Sequence, residues 1–175
     1  MRTDRTDPIV RSPLKAIEAG EASCMEGALI AAAALAYHGA PALLLDLKVA
    51  PDNIRDTDHV VTLFKWQGCY GAISKTSHAV LRYREPAYKT LRELVMSYFH
   101  EYFLDDGIKA LRSHSKPFDV IKAFGTTWIE SDDDLYEIAC ALDDSPHADV
   151  LPKGLVRRLR KADAIEIEAG RLKEK

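Results

Sequence analysis

Few features of this sequence commit it to a partner. Lys and Arg number 24 and Asp and Glu 27, a formal charge of −3 over 175 residues. No excess of basic charge therefore makes a footprint for nucleic acid or an anionic membrane. The longest apolar run is too short for a bilayer, and residues Met1 to Pro8 hold no apolar stretch from which a secretory signal would be expected. Cysteine is scarce: Cys24, Cys69 and Cys140 are odd in number and far apart, the pattern of reduced thiols in a cytoplasmic protein and not of a disulfide framework. No CxxC pair and no HxxxH or HxH spacing occurs, so neither a metal nor a cofactor is expected. Internal repeats, low-complexity stretches and a clear linker are lacking too.

What is present is the composition of an ordinary globular domain, 47% hydrophobic and 29% charged. The patterning predicts a single α+β domain. A central buried helix bearing a cysteine packs on a small antiparallel sheet within residues 10–85, and a mostly helical extension follows over 86–175. A short helix over 12–19 precedes Ser23-Cys24-Met25-Glu26-Gly27-Ala28-Leu29, the start of an almost wholly apolar helix that Gly39 and Pro41 should end. Residues 42–49 read as a strand, 51–57 as a polar loop, and 59–66 and 69–74 as a hairpin turning at Gln67-Gly68. Further on, an aromatic stripe from Tyr88 to Tyr102 predicts a long amphipathic helix from Pro86 to about Phe103. A short helix closed by Gly125, a strand at 126–129, a helix capped in the acidic run at Ser131 and a charged helix from Lys153 to Lys175 complete the expectation. The Arg157 to Lys161 cluster is read as a solvated face.

The chemistry centres on Cys24. Ser23 and Glu26 form a capping box, which puts the thiol at the first helical position, where the positive end of the helix dipole favours thiolate. The bland alternative is a small buried residue, the common fate of a free cysteine. A nucleophilic thiol needs an imidazole, itself oriented by a third polar group. His59 is the best candidate. A two-residue turn at Gln67-Gly68 sets Val61 opposite Ser74 and His59 opposite Thr76, so that His59 lies diagonal to Ser74 on one face; a three-residue turn would bring Lys75 and Ser77 there instead. Asp58 would then point to the opposite face, while Asp46, an acid in an apolar strand, is a candidate supporting group from a neighbouring strand. His78, Arg82 and Arg84 are candidates for binding a substrate carboxylate, with surface ion pairing as the plainer reading of the arginines.

The segments Ser23 to Leu29, Asp58-His59-Val60-Val61-Thr62-Leu63-Phe64 and Gly71-Ala72-Ile73-Ser74-Lys75 together resemble the transglutaminase-like branch of the papain-like cysteine enzymes, over about residues 20–80. The resemblance implies Cys24 as nucleophile and His59 as acid and base. The third place falls on Ser74, where the family usually has Asp; a serine orients an imidazole but lends it no charge. The function implied is a thiol-dependent hydrolase or acyltransferase acting on an amide or ester of a peptide or small molecule. The alternatives are a noncatalytic binding or scaffolding domain of the same fold, engaging its partner through the Arg82 to Arg84 loop and the C-terminal helices, and a purely structural protein with buried cysteines.

Overall fold

The computed structural model describes residues 9–49 and 58–173. The first eight residues, the polar loop expected over 51–57 and the last two residues of the expected C-terminal helix lie outside the described residues. Helix α1 (Pro13–Ala19) starts where the Ser12 hydroxyl accepts the Lys15 amide and ends at Gly20, whose φ of 69° an L side chain would resist. Helix α2 (Cys24–Tyr37) carries the expected capping box: the Ser23 hydroxyl accepts from the Glu26 amide and the Glu26 carboxylate from the Ser23 amide at 2.7 Å. Gly39 follows at φ 78° and closes the helix. Burial is one-sided, contrary to the all-round burial that the apolar sequence predicts. Met25, Ala28, Leu29 and Ala32 enter the core while Ala34 and Tyr37 face water. One sheet face and α1 cannot enclose a whole helix, and alanine costs little to expose.

Among the described residues, seven strands make one antiparallel sheet: β1 (Leu43–Val49), β2 (His59–Trp66), β3 (Cys69–Ile73), β4 (Arg84–Tyr88), β5 (Leu111–Ser115), β6 (Phe118–Asp119) and β7 (His147–Asp149). Their order is β4-β3-β2-β1-β5-β7, with β6 also paired to β1. The β2–β3 hairpin turns on Gln67 and Gly68, both at positive φ, and pairs Trp66 with Cys69 and Thr62 with Ile73. This is the two-residue register that the sequence favours. Strand alternation divides the core. Leu45, Leu47, Val61 and Leu63 meet α3 (Leu91–Phe99) on one face, through Leu94, Val95 and Tyr98; Leu44 and Val60 meet Leu29 of α2 and Ile138 of α5 (Tyr136–Asp143) on the other.

The second half holds more helix than strand, as expected, but it also supplies β5, β6, β7 and most of β4. The long helix expected from Pro86 is instead the edge strand β4 followed by α3. Tyr88 pairs with Tyr70, and a Thr90–Glu93 capping box starts the helix. Pro86 is tolerated there because an edge strand has amides that need no sheet partner. The stretch 126–129 is a 3₁₀ turn over Thr127–Ile129 and not a strand; it buries Trp128, whose indole donates to the Gly125 carbonyl. Gly125 itself ends α4 (Val120–Phe124), near the expected place. Helix α5 begins five residues later than its acidic start signal, because Asp134 is spent on the amides of Val10 and Tyr136. The charged C-terminal helix shrinks to a 3₁₀ turn and α6 (Ala164–Gly170). Among the described residues no single helix is long and apolar enough to cross a membrane.

Two contacts fix α2. Its buried Glu26 receives the Arg11 Nε at 2.7 Å and the Arg11 amide at 3.0 Å as well as the cap. Burial pushes this carboxyl up, but Arg11 and the Ser23 and Arg11 amides outweigh it and hold the carboxyl at about 2, against an ordinary 4.5. A depressed carboxyl stabilises the fold fully above its unfolded value and loses that contribution as pH falls through the folded one. Acid titration should therefore remove on the order of 3 kcal/mol between about pH 4.5 and 2, and Glu26→Gln should flatten that limb in urea melts taken across the range. The second contact is a close approach at Gly27, where an added Cβ would lie 2.3 Å from the Lys75 Cβ. Alanine normally gains about 1 kcal/mol over glycine in a helix; here Gly27→Ala should instead lose about 1–3 kcal/mol through overpacking. A stabilised variant would show that α2 is not seated this tightly.

Candidate functional site

The N-terminus of α2 and the start of β2 open on a cleft of about 840 Å³ whose walls include Cys24, His59, Lys75, His78, Phe103 and Ile167. The capping box delivers Cys24 to this mouth. Its thiol donates to the Asp58 carbonyl at 4.0 Å. Burial pushes the thiol up, the Val60, Met25 and Cys24 amides pull it down, and the Asp46 carboxylate adds a smaller upward push. The net direction is upward. The helix N-terminus, worth about 0.3–1 kcal/mol at a surface, does not overcome desolvation, so the resting group is a thiol and not the thiolate that its helical position alone predicts.

His59 is buried, 6% exposed, and its Nε2 lies 2.7 Å from the Ser74 hydroxyl. That hydroxyl donates its own proton to the Leu81 carbonyl at 2.6 Å. Ser74 therefore accepts from Nε2–H, and the network assigns the lone pair to Nδ1. Burial pushes the imidazole down to about 4, with the Leu81 carbonyl opposing. The predicted diagonal pairing of His59 and Ser74 is present. The direct link to the thiol is not: no hydrogen bond joins Cys24 to His59 among the described residues. The ladder explains why. His59 pairs with Leu47, on the sheet face that carries Val61, whereas α2 lies against the face of Val60 and Thr62, the latter donating to the Ala28 carbonyl. Cys24 and His59 thus approach the cleft from opposite sides of the end of β2.

The remaining candidates divide between the cleft and elsewhere. His78 stands in the cleft wall, its Nδ1 2.9 Å from the Gly170 carbonyl, and its backbone bridges Lys173. Arg82 and Arg84 do not line this cleft. Arg84 is bound to Ser97 and Glu101 and stacks over the Tyr98 ring at 4.2 Å, which ties β4 to the end of α3. Asp46 does not reach His59. It faces the α2 side of the sheet, 3% exposed at its side chain, and its Oδ2 lies 3.1 Å from His147 Nε2. Because His147 Nδ1 must donate to the Ser145 carbonyl at 2.6 Å, a proton has to lie between Nε2 and Asp46. Burial first, and then the Asp58 charge, push Asp46 up to about 6, with His147 pulling it back.

Two parts of the cleft carried no sequence signal. Leu81, at φ 60°, turns its carbonyl onto Ser74, a role for which any residue type would serve. The C-terminal segment closes one wall, with Ala79 donating to the Leu172 carbonyl at 2.8 Å. The thiol's raised pKa has a direct check. In a Cys69→Ser, Cys140→Ser background, iodoacetamide should modify Cys24 with a midpoint above that of free cysteine, about 8.5; a midpoint below it would mean that the helix N-terminus dominates. A scan against protein-family models finds no match, and no curated protein matches the chain.

Proposed function

We propose that this cleft is a thiol-dependent acyl site, hydrolysing or transferring an acyl group from an amide or ester. The observation that carries the reading is the His59–Ser74 hydrogen bond at 2.7 Å, on the wall of the cleft into which Cys24 projects. It fixes the imidazole with Nε2 as the donor and so puts the lone pair on Nδ1, where it can act as a base. In the reaction Nδ1 takes the thiol proton as the sulfur attacks the carbonyl carbon, and the Cys24 amide, in the first turn of α2, offers a donor to the oxyanion. The imidazolium then protonates the departing amine or alcohol. Water or an acceptor nucleophile, deprotonated by the same imidazole, releases the thioester. The resemblance to transglutaminase-like enzymes supports the same roles for Cys24 and His59.

Electrostatics shape the form of this chemistry. Both partners rest neutral, since burial raises the thiol and lowers the imidazole. Ser74 adds no negative charge to favour an imidazolium, so the proton moves only as sulfur attacks, and no standing ion pair stores it. The second reading, a noncatalytic binding cleft, is favoured by the thiol's bond to the Asp58 carbonyl in place of His59.

Acylation by p-nitrophenyl acetate, followed by intact-mass analysis, separates the two. An acyl adduct on Cys24, slowed about 10²–10⁴-fold in His59→Ala and less in Ser74→Ala, supports the enzyme. Its rate should rise with pH through about 4 as His59 loses its proton, because a lowered imidazole pKa leaves the base available at every higher pH. Equal rates in wild type and His59→Ala would leave only the binding cleft.

A further inference from the structure

On the α2 side of the sheet, away from His59, three carboxylates converge. Asp46 of β1, Asp58 just before β2 and Asp143 at the end of α5 each offer an oxygen, and these oxygens lie within 4.8 Å of one another. Asp46 forms the floor. It is 2% exposed, its Oδ2 is engaged by His147, and its Oδ1 is buried with no hydrogen-bond partner among the described residues. An orphaned buried carboxylate oxygen costs several kcal/mol unless something positive meets it. Asp58 is held in place by the Val49 amide at 2.8 Å. Asp143, with its side chain 54% exposed, opens the cluster to solvent.

Besides His147 on Asp46 Oδ2, the cation that meets this cluster among the described residues is Lys48. Its ammonium lies 2.5 Å from the Asp143 carboxylate and 3.2 Å from the Asp143 carbonyl. One ammonium thus faces three carboxylates and leaves Asp46 Oδ1 unmet. A lysine head on a flexible stem withdraws to water at small cost, and Lys48 is 30% exposed at its side chain.

We infer that Asp46, Asp58 and Asp143 form a binding site for a hard divalent cation of the calcium and magnesium class, in which Lys48 is the displaceable counter-ion. All-carboxylate donors select such ions over zinc or copper. A calcium ion binds oxygen at about 2.3–2.6 Å, so oxygens up to 4.8 Å apart fit around one calcium ion even from opposite sides. Magnesium demands a tighter set, so calcium binds better. The bound ion links β1, the start of β2 and α5. Through Asp58 it also holds the residue whose carbonyl receives the Cys24 thiol.

The test is calorimetric titration of the full chain with calcium and separately with magnesium, with thermal unfolding followed in parallel. The site predicts one calcium per chain, a higher Tm with calcium, and weaker binding of magnesium. Asp143→Asn, which alters an exposed residue and leaves the floor intact, should weaken calcium binding about tenfold or more. Lys48→Met should tighten it, because the competing ammonium is gone. Binding unchanged in Asp143→Asn, or none in either wild type or Lys48→Met, would overturn the assignment. None of these measurements depends on whether the thiol is catalytic.

Discussion

A missing side chain sets the geometry at the mouth of the cleft. Because Gly27 has no Cβ, α2 settles onto the first side-chain carbons of Lys75, just past the end of β3, closer than any other residue would permit. Thr62 of β2 holds the same turn of helix through the Ala28 carbonyl. The helix therefore rests on the hairpin that carries His59 at one end and leads into Ser74 at the other. Glu26 then locks the helix start: one buried carboxylate answers the cap amide, the Arg11 amide and the Arg11 guanidinium. A buried carboxylate with a full set of partners is costly to disturb, since loss of one partner leaves a charge without compensation. Cys24 inherits its place from these two neighbours in sequence.

Burial raises both acids in the first turn of α2, with opposite net results. At Glu26 it is outweighed, because a guanidinium and two amides meet the charge. At Cys24 it prevails, because the amides near the sulfur are opposed by desolvation and by the Asp46 carboxylate. The difference is one of countercharge and not of position, since both residues lie in the first turn of α2. The imidazole follows the same rule: with only hydroxyl and carbonyl oxygens around it, its neutral form is favoured.

Local chemistry was legible in the sequence and long-range pairing was not. The capping box, the Gly39 stop, the two-residue turn and hence the His59–Ser74 diagonal all follow from residues within a few positions of one another. The sheet's other half does not, because β5 pairs with β1 from more than sixty positions away, β7 pairs with β5 from more than thirty, and both carry few apolar residues to announce themselves. The aromatic stripe misled for a related reason. Tyr88 and Tyr98 share the spacing of one helix, yet a strand followed by a capped helix uses both, and only the Thr90–Glu93 box marks the break. Asp46 stood out as an acid among leucines, but its partner His147 lies 101 positions away.

Strand parity explains why one strand start can serve two different environments. At the entrance to β2, consecutive residues turn to opposite faces: Asp58 toward α2 and α5, His59 toward the face of Leu47 and Val61. The acids therefore gather on the side that holds α5, while the imidazole meets Ser74 and the Leu81 carbonyl on the other. The backbone between them is shared, and it is the Asp58 carbonyl, on that backbone, that accepts the thiol. The cleft and the acidic floor thus share Asp58, and the Asp46 carboxylate acts on the Cys24 thiol as well.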